Sequence, residues 1–176
     1  MKIYFFSPDP DNYASIEFVD EKIEDKFLQG KSIRNEWTPP SVYIYDSSGP
    51  LGDFPALSDN IPVFSKKAWE SLSPFLFDSV EALPLIITNL EYYAINVLEM
   101  TDCIDHNKSE FRRYENGAIA SVNHFCIKTQ LLKNKNLFIF PETKYLDTYV
   151  SEAFINCVKT NSLKGSIFRE LEFESI

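Results

Sequence analysis

Two apolar segments flank a short polar connector in the stretch Leu83-Pro84-Leu85-Ile86-Ile87-Thr88-Asn89-Leu90-Glu91-Tyr92-Tyr93-Ala94-Ile95-Asn96-Val97-Leu98. Both segments are rich in β-branched and aromatic residues, which suit the pleated surface of a sheet. Because the connector (residues 88–91) is short, the two segments are expected to pair with each other. This stretch therefore predicts a β-hairpin at the centre of the chain, and the fold class follows from it.

Further strands and helices are predicted on both sides of the hairpin. The alternation and composition of five segments predict strands at residues 3–6, 42–45, 118–127, 136–140 and 166–173. Ser65 and Ser151 can cap two helices, which run from residue 66 and up to residue 159. The apolar stripes expected on these helices are Ala68, Trp69, Leu72, Phe75 and Leu76, and Ala153, Phe154, Cys157 and Val158. A short helical turn is expected at residues 130–132. The prediction is an α+β fold with a mainly antiparallel sheet, two or three helices and an N-terminal α/β extension.

Charge and proline content divide the chain into two parts. The first sixty residues hold 11 acidic and five basic residues and six of the ten prolines, and the whole chain of 176 residues has a net charge of −9. Residues 47–53 (Ser-Ser-Gly-Pro-Leu-Gly-Asp) are typical of a connector. We therefore expect an acidic N-terminal region, residues 1–59, packed on a main α+β domain, residues 60–176.

The composition also excludes several classes of protein. A chain of net charge −9 without a basic tract is a poor nucleic-acid binder. With only five glycines, a glycine-rich phosphate-binding loop is not expected. No apolar run approaches the roughly 20 residues that span a bilayer. Three cysteines cannot all pair within one chain. We expect a soluble protein of a reducing compartment, with neither nucleic acid nor membrane as a partner.

Four residues have the spacing and chemistry of a candidate zinc site. They are Cys103 and His106, separated by two residues, and His124 and Cys126, which would share one face of a strand. The alternative is two buried thiols, one surface histidine and one strand histidine. Neither histidine lies in a recognised nucleophile motif, and no phosphate loop or zinc-protease motif occurs.

Two groups of carboxylates raise further possibilities. Asp102, Asp105 and Glu110 could act as paired acids or hold a divalent cation, although such residues in a polar loop more often face solvent or cap turns. A second run of acids could form a strip on a helix, diluted by neighbouring lysines. This run comprises Glu17, Asp20, Glu21, Glu24 and Asp25. It is either an ordinary solvated face or a recognition surface for a basic partner.

An ordered set of features in the second part of the chain resembles a known bacterial family. The features lie at residues 83–85, 92–98, 102–105 with 109–110, 137–140, 149–154 and 163–168. Their order resembles the eleventh immunity-protein family of polymorphic toxin systems, over roughly residues 60–173. One departure is that Asn89-Leu90-Glu91 stands where the family commonly has an Asp-Gly turn.

The resemblance implies a non-enzymatic, cytoplasmic protein that needs no cofactor and neutralises a cognate toxin. It supplies no catalytic residues, and it implies that Asp102, Asp105 and Ser109 have a structural role in capping the turn after the hairpin. If the toxin is a nuclease, its substrate-binding face would be basic, and an acidic inhibitor would associate with it rapidly. The alternative hypothesis is a metal-dependent or hydrolytic enzyme that uses Cys103, His106, His124 and Cys126, or the three carboxylates.

Overall fold

Strands dominate the computed structural model, which describes residues 1–20, 22–23, 27, 30–46, 49–57, 61–76, 78–87, 89–143 and 147–176. The described strands are β1 (Ile3–Pro8), β2 (Ser15–Phe18), β3 (Val42–Asp46), β4 (Val63–Ser65), β5 (Val80–Ile87), β6 (Leu90–Val97), β7 (Glu110–Arg113), β8 (Ile119–Ile127), β9 (Leu137–Phe138), β10 (Thr148–Ser151), β11 (Ser166–Glu170) and β12 (Phe173–Ser175). The described helices are α1 (Lys66–Leu76) and α2 (Glu152–Thr160), with 3-10 turns at Arg34–Glu36 and Thr129–Leu132.

The strands form four small sheets, which are mostly antiparallel. Their orders are β11-β1-β10-β9, β4-β6-β5, β12-β8-β7 and β2-β3. The pairing of β12 with β8 is parallel, whereas the other strand ladders are antiparallel within the described residues. The predicted α+β class, with mainly antiparallel strands and two or three helices, is confirmed, and the described residues form two α-helices. The α/β character predicted for the N-terminal extension is not confirmed, and the division of the chain at residue 60 stays a prediction.

Strand β1 lies between two strands from the other end of the chain. Ile3 faces Ser151 in β10, and Tyr4 faces Glu170 in β11. Both edges of this strand are therefore paired, by residues more than 140 positions away. The first eight residues are a structural part of the C-terminal sheet.

Alternate side chains of β1 enter two different hydrophobic clusters. Phe6 belongs to the larger cluster, where its ring centroid lies 5.5–6.1 Å from those of four other phenylalanines: Phe54, Phe64, Phe154 and Phe168. Ile3 belongs to the smaller cluster, and Phe5 packs against it. The four-stranded sheet thus separates two cores, which explains why its central strand is apolar on both faces.

Tyr149 in β10 is the centre of the smaller cluster. It is fully buried, and its ring centroid lies 4.4 Å from that of Phe140 and 5.1 Å from that of Phe5. Its hydroxyl shares a hydrogen bond of 3.1 Å with Thr143 Oγ1. Burial, followed by the nearby charge of Asp147, raises the pKa of the Tyr149 phenol. The polar end of this ring is therefore held as a neutral hydroxyl within the core.

Both predicted helix caps are present. Ser65 Oγ accepts the Ala68 N–H at 3.1 Å, and Ser151 Oγ accepts the Phe154 N–H at 3.2 Å. The predicted stripes are confirmed except at two positions. Phe75 and Ala153 are exposed. Each of these residues lies at the edge of its stripe, where a side chain can point past the underlying sheet.

The predicted hairpin is formed by β5 and β6. Ile87 pairs with Leu90, so the connection is two residues long and shorter than the predicted one. Tyr92 is buried and its hydroxyl donates to the Gly52 carbonyl at 2.9 Å. A side chain of the hairpin thus holds the segment that was predicted to be the connector between the two parts of the chain.

A buried carboxylate ties the N-terminal segment to the hairpin. Glu81 in β5 accepts hydrogen bonds from Ser32 Oγ at 2.5 Å and from the Ile33 N–H at 2.9 Å. Asn96 Nδ2 donates to it at 3.0 Å, and the Arg34 guanidinium lies 3.7 Å away. Burial by itself raises the pKa of Glu81, but these hydrogen bonds and the Arg34 charge outweigh it, so the net pKa lies below 4.5. The charged form is therefore favoured by folding.

Replacing Glu81 by Gln should lower the free energy of unfolding by about 1–3 kcal/mol at neutral pH, because an amide cannot accept the same set of donors. A carboxylate with a depressed pKa stabilises the fold above its unfolded pKa, and this stabilisation is lost as the pH falls through the lower folded value. The difference between wild type and Glu81→Gln should therefore be constant at neutral pH and shrink below about pH 4.5.

Chemical denaturation over a pH series measures this difference. Glu91→Gln is the matched control, because Glu91 is an exposed β6 residue that pairs with Lys66 on the surface. It should change stability little at any pH. A difference at Glu81 that grows as the pH falls would contradict the assignment.

Candidate functional site

The two-stranded sheet β2-β3 has one buried face and one face open to solvent. Side chains alternate along each strand. Ile16, Phe18 and Val42 are buried in the larger cluster. The opposite face carries Glu17, Val19 and Tyr43, and Tyr45 follows at an irregularity of the pairing, where Ile44 faces Ile16 and Asp46 faces Ser15. We call Glu17, Val19, Tyr43 and Tyr45 the tyrosine face. Val19 and Tyr45 are 68% and 67% exposed. Together they leave a large apolar area in contact with solvent.

A hydrogen bond fixes the acidic end of the tyrosine face. The Tyr43 hydroxyl donates to Glu17 Oε2 at 2.5 Å across the strand pair. Asp20, which follows Val19, is exposed, and its Oδ1 accepts the Lys22 N–H at 3.2 Å. The Glu17 carboxylate is thus oriented by the Tyr43 hydroxyl, whereas the Asp20 carboxylate is open to solvent.

The structure changes how the acidic run of the sequence is presented. Glu17 lies on β2, so the helical strip considered for this run does not include it. Glu21, Glu24 and Asp25 lie outside the described residues. Of this run, Glu17 lies beside the Tyr43 ring, and Asp20 is exposed just beyond the end of β2. Tyrosine buries a large area at little entropic cost, and nearby acids attract a basic surface.

Sequence reasoning identified β3 but missed its tyrosines. Val42-Tyr43-Ile44-Tyr45 was predicted to be a strand, and β3 is present there, with an irregular pairing at Tyr45. Whether that face is exposed depends on which elements cover the strand, and a local pattern carries no such information.

The candidate zinc ligands lie in different surroundings. Cys103 and Cys126 are buried, on neighbouring segments joined by the hydrogen bond from the Asp105 N–H to the Cys126 carbonyl. Burial raises the pKa of the Cys103 thiol to about 12, and it also raises the pKa of Cys126. Both residues are thus expected to be protonated packing groups at neutral pH.

The two candidate histidines face separate carboxylates. His106 Nε2 lies 2.5 Å from Glu142 Oε1, and His124 Nε2 lies 3.8 Å from Glu174 Oε2. Among the described residues, no group of three or more His, Cys, Asp or Glu side chains is placed to hold a metal ion. The structure therefore does not bring Cys103, His106, His124 and Cys126 together as a site.

The three candidate carboxylates are also not assembled into a described site. Asp105 Oδ1 accepts the Asn107 N–H at 2.9 Å and so closes a turn. Ser109 Oγ accepts the Cys126 N–H at 2.9 Å. Glu110 begins β7, and Asp102 lies outside any strand. Asp105 and Ser109 thus shape the loop between the hairpin and β7.

A sequence model of the Immunity protein family (Imm11) matches residues 88–172, just under half of the chain. The match confirms the resemblance and indicates an immunity function. It covers β6 to β11 and α2, whereas the tyrosine face lies outside it. No curated protein matches the chain. Within the described ranges, no helix has the length and apolar character needed to cross a membrane.

The Cys103 thiol should resist alkylation in the folded protein. With a pKa of about 12, its thiolate fraction at pH 8 is about 10⁻⁴, and the side chain is buried. Pulsed labelling with iodoacetamide followed by peptide mass spectrometry should show modification of Cys103 only after addition of denaturant. Rapid labelling of this residue in the native protein would point to a reactive thiol and contradict the structure.

Proposed function

We propose that this chain is a non-catalytic immunity protein that binds and neutralises a cognate bacterial toxin in the cytoplasm. The observation that carries the proposal is the match of residues 88–172 to an immunity-protein family. The enzyme alternative lacks support, because its Cys, His and acidic residues do not converge in the part of the chain that the structure describes.

The tyrosine face is the surface that we assign to the toxin. Tyr45 and Val19 offer exposed apolar area, while Tyr43 is held in place by Glu17. Rigid aromatic side chains ringed by polar groups are typical of residues that dominate binding energy. The other face of the β2-β3 sheet packs in the larger core through Ile16 and Phe18, so the sheet is already ordered before a partner binds.

The charge of the chain favours a basic partner. The net charge is −9, and 11 of the 26 acidic residues fall in the first sixty positions. Oppositely charged surfaces accelerate encounter far more than they strengthen the final complex. A toxin with a basic substrate-binding face, such as a nuclease, fits this charge, and the acids near the tyrosine face would bring it to Tyr43 and Tyr45.

Co-expression with the toxin encoded by the adjacent gene tests the proposed function. The toxin alone should stop growth of the host cells, and this chain should restore growth and co-purify with the toxin. A matched pair of variants refines the assay. Tyr45→Ala should weaken toxin binding at least tenfold, whereas Tyr114→Ala should change it less than twofold. Tyr114 is 62% exposed, close to the 67% of Tyr45, and follows β7 in another sheet.

Absence of both rescue and binding with the wild-type chain would refute the proposed function. Equal losses in Tyr45→Ala and Tyr114→Ala would leave the function standing but remove its assignment to the tyrosine face. Calorimetry with a catalytically inactivated toxin domain gives the affinities.

Charge reversal at Asp20 tests the role of the acids. Asp20→Lys should slow association with a basic toxin about threefold to tenfold at low salt and make the rate less dependent on salt. The dissociation rate should change little, because Asp20 is exposed. Stopped-flow association over a salt series measures both effects.

Glu115→Lys is the control, since it alters the net charge equally in the exposed turn between β7 and β8. An association rate that falls to the same extent in both variants would show that net charge matters and the position of Asp20 does not. An unchanged association rate in Asp20→Lys would show that Asp20 is an ordinary solvated residue without a role in binding.

A further inference from the structure

The tyrosine face continues beyond β3 onto the hairpin strand β5. In the β2-β3 register, Val19 follows the Phe18–Val42 pair and lies opposite Ser41, and the Val19 N–H donates to the Ser41 carbonyl at 3.1 Å. On its other side, Ser41 forms a parallel bridge with Ile86 of β5. Val19, Ser41 and Ile86 therefore lie in one row across three strands.

The side chains of this row point to solvent. Successive side chains along a strand point to opposite faces. The next residues on the two bridged strands, Val42 and Ile87, are both buried in the larger cluster. Ser41 and Ile86 therefore face the opposite way, and both are exposed, Ile86 by 53%. The outer surface of β5 is thus continuous with the tyrosine face.

An open cavity of about 310 Å³ adjoins this row. Its lining consists mainly of rings and aliphatic side chains, and the residues are Arg34, Trp37, Pro39, Ala82, Leu83 and Pro84. Pro39 precedes Ser41 by two positions, and Pro84 precedes Ile86 by two positions. The cavity therefore lies beside the row, along the same two segments of the chain, and next to the surface that we assign to the toxin.

The rings that form the cavity are held in place before a partner binds. Trp37 Nε1 donates to the Pro84 carbonyl at 3.0 Å, and the Trp37 ring meets the Phe27 ring edge-on at a centroid distance of 5.5 Å. Trp37 also packs against the larger cluster. The proline rings of Pro39 and Pro84 have no side-chain rotamer freedom to lose. Because these walls are fixed, binding in the cavity requires little ordering.

The charge in the cavity is already balanced. Among the described residues that line it, only Arg34 is charged, and its guanidinium lies 3.7 Å from the buried carboxylate of Glu81. The cavity therefore has no unpaired charge that would select an ion. A guanidinium stacks readily on an aromatic ring, and the indole and proline walls are flat. The lining thus favours a flat apolar group.

We propose that the cavity lined by Trp37, Pro39 and Pro84 receives an aromatic side chain of the toxin when the toxin binds the tyrosine face. The proposal rests on the proposed function and adds an anchoring pocket to the surface already assigned. Aromatic side chains buried in preformed pockets supply much of the binding energy of protein complexes. A second copy of this chain is disfavoured as the occupant, because it would bring another net charge of −9 to the same surface.

A carboxylate placed in the cavity tests the proposal. Pro39 lines the cavity and is exposed, so Pro39→Glu should leave the fold intact. Pro141→Glu is the matched control, because Pro141 is also exposed, lies outside the cavity and gives the same change of charge. In calorimetry with an inactivated toxin domain encoded by the adjacent gene, Pro39→Glu should bind at least tenfold more weakly and Pro141→Glu within twofold of wild type.

A second measurement leaves the cavity unaltered. The chain has two tryptophans, so Trp69→Phe makes Trp37 the only one. With 5-fluorotryptophan at this position, the ¹⁹F signal of Trp37 should shift when the unlabelled toxin domain binds. It should also lose its sensitivity to the exchange of H₂O for D₂O. A Trp37 signal that stays unchanged in the complex would overturn the proposal.

The remaining outcomes separate the cavity from the function. If wild type binds the toxin and both proline variants bind equally, the cavity proposal fails while the immunity function stands. If the free chain is a dimer that Pro39→Glu dissociates without changing toxin affinity, the occupant is a second copy and the proposal is wrong. If wild type neither binds nor rescues, the proposed function itself fails and the cavity proposal fails with it.

Discussion

The pairing of β1 with both β10 and β11 is the constraint on which the rest of the fold depends. The two partner strands come from the last 29 residues of the chain, and β1 supplies hydrogen bonds to one edge of each. Without residues 3–8, β10 would have one open edge and β11 two, and the rings around Phe6 would lose the ring that they share as a neighbour. The family-matched segment, residues 88–172, therefore completes its sheet with a strand from outside the match. Contacts of such separation also favour slow folding.

The position of the candidate site follows from this arrangement. Phe6 and its neighbours fill the larger core, and β2-β3 uses that core to bury only one of its faces through Ile16 and Phe18. On the opposite face, Val19 and Tyr45 are largely exposed. Because Ile16 and Phe18 are packed in the larger core, the β2-β3 sheet keeps the residues of its exposed face in fixed positions.

Much of the fold could be predicted from local patterns, but not the site. Alternation predicted β1, β3 and β8, and the hydroxyls of Ser65 and Ser151 marked the helix starts. The short strands β4, β7, β10 and β12 were not predicted, because three or four residues give too little alternation and their pairing is supplied by distant segments. The predicted hairpin connection, residues 88–91, was longer than the one observed, because the strand register places Leu90 in β6. Tyr45 is exposed and Cys103 is buried, and this difference depends on whether another part of the chain packs over the side chain. The local sequence pattern does not contain that information.

Charge and shape have separate roles in recognition at this surface. Asp20 is exposed, so its attraction for a partner is screened by salt and acts mainly before contact. Glu17 is bound to Tyr43 and partly shielded, so its charge is screened less by salt and can also act after contact. Under the proposed function, toxins of similar charge would then associate at similar rates, and selection among them would depend on how well each fits the tyrosine face.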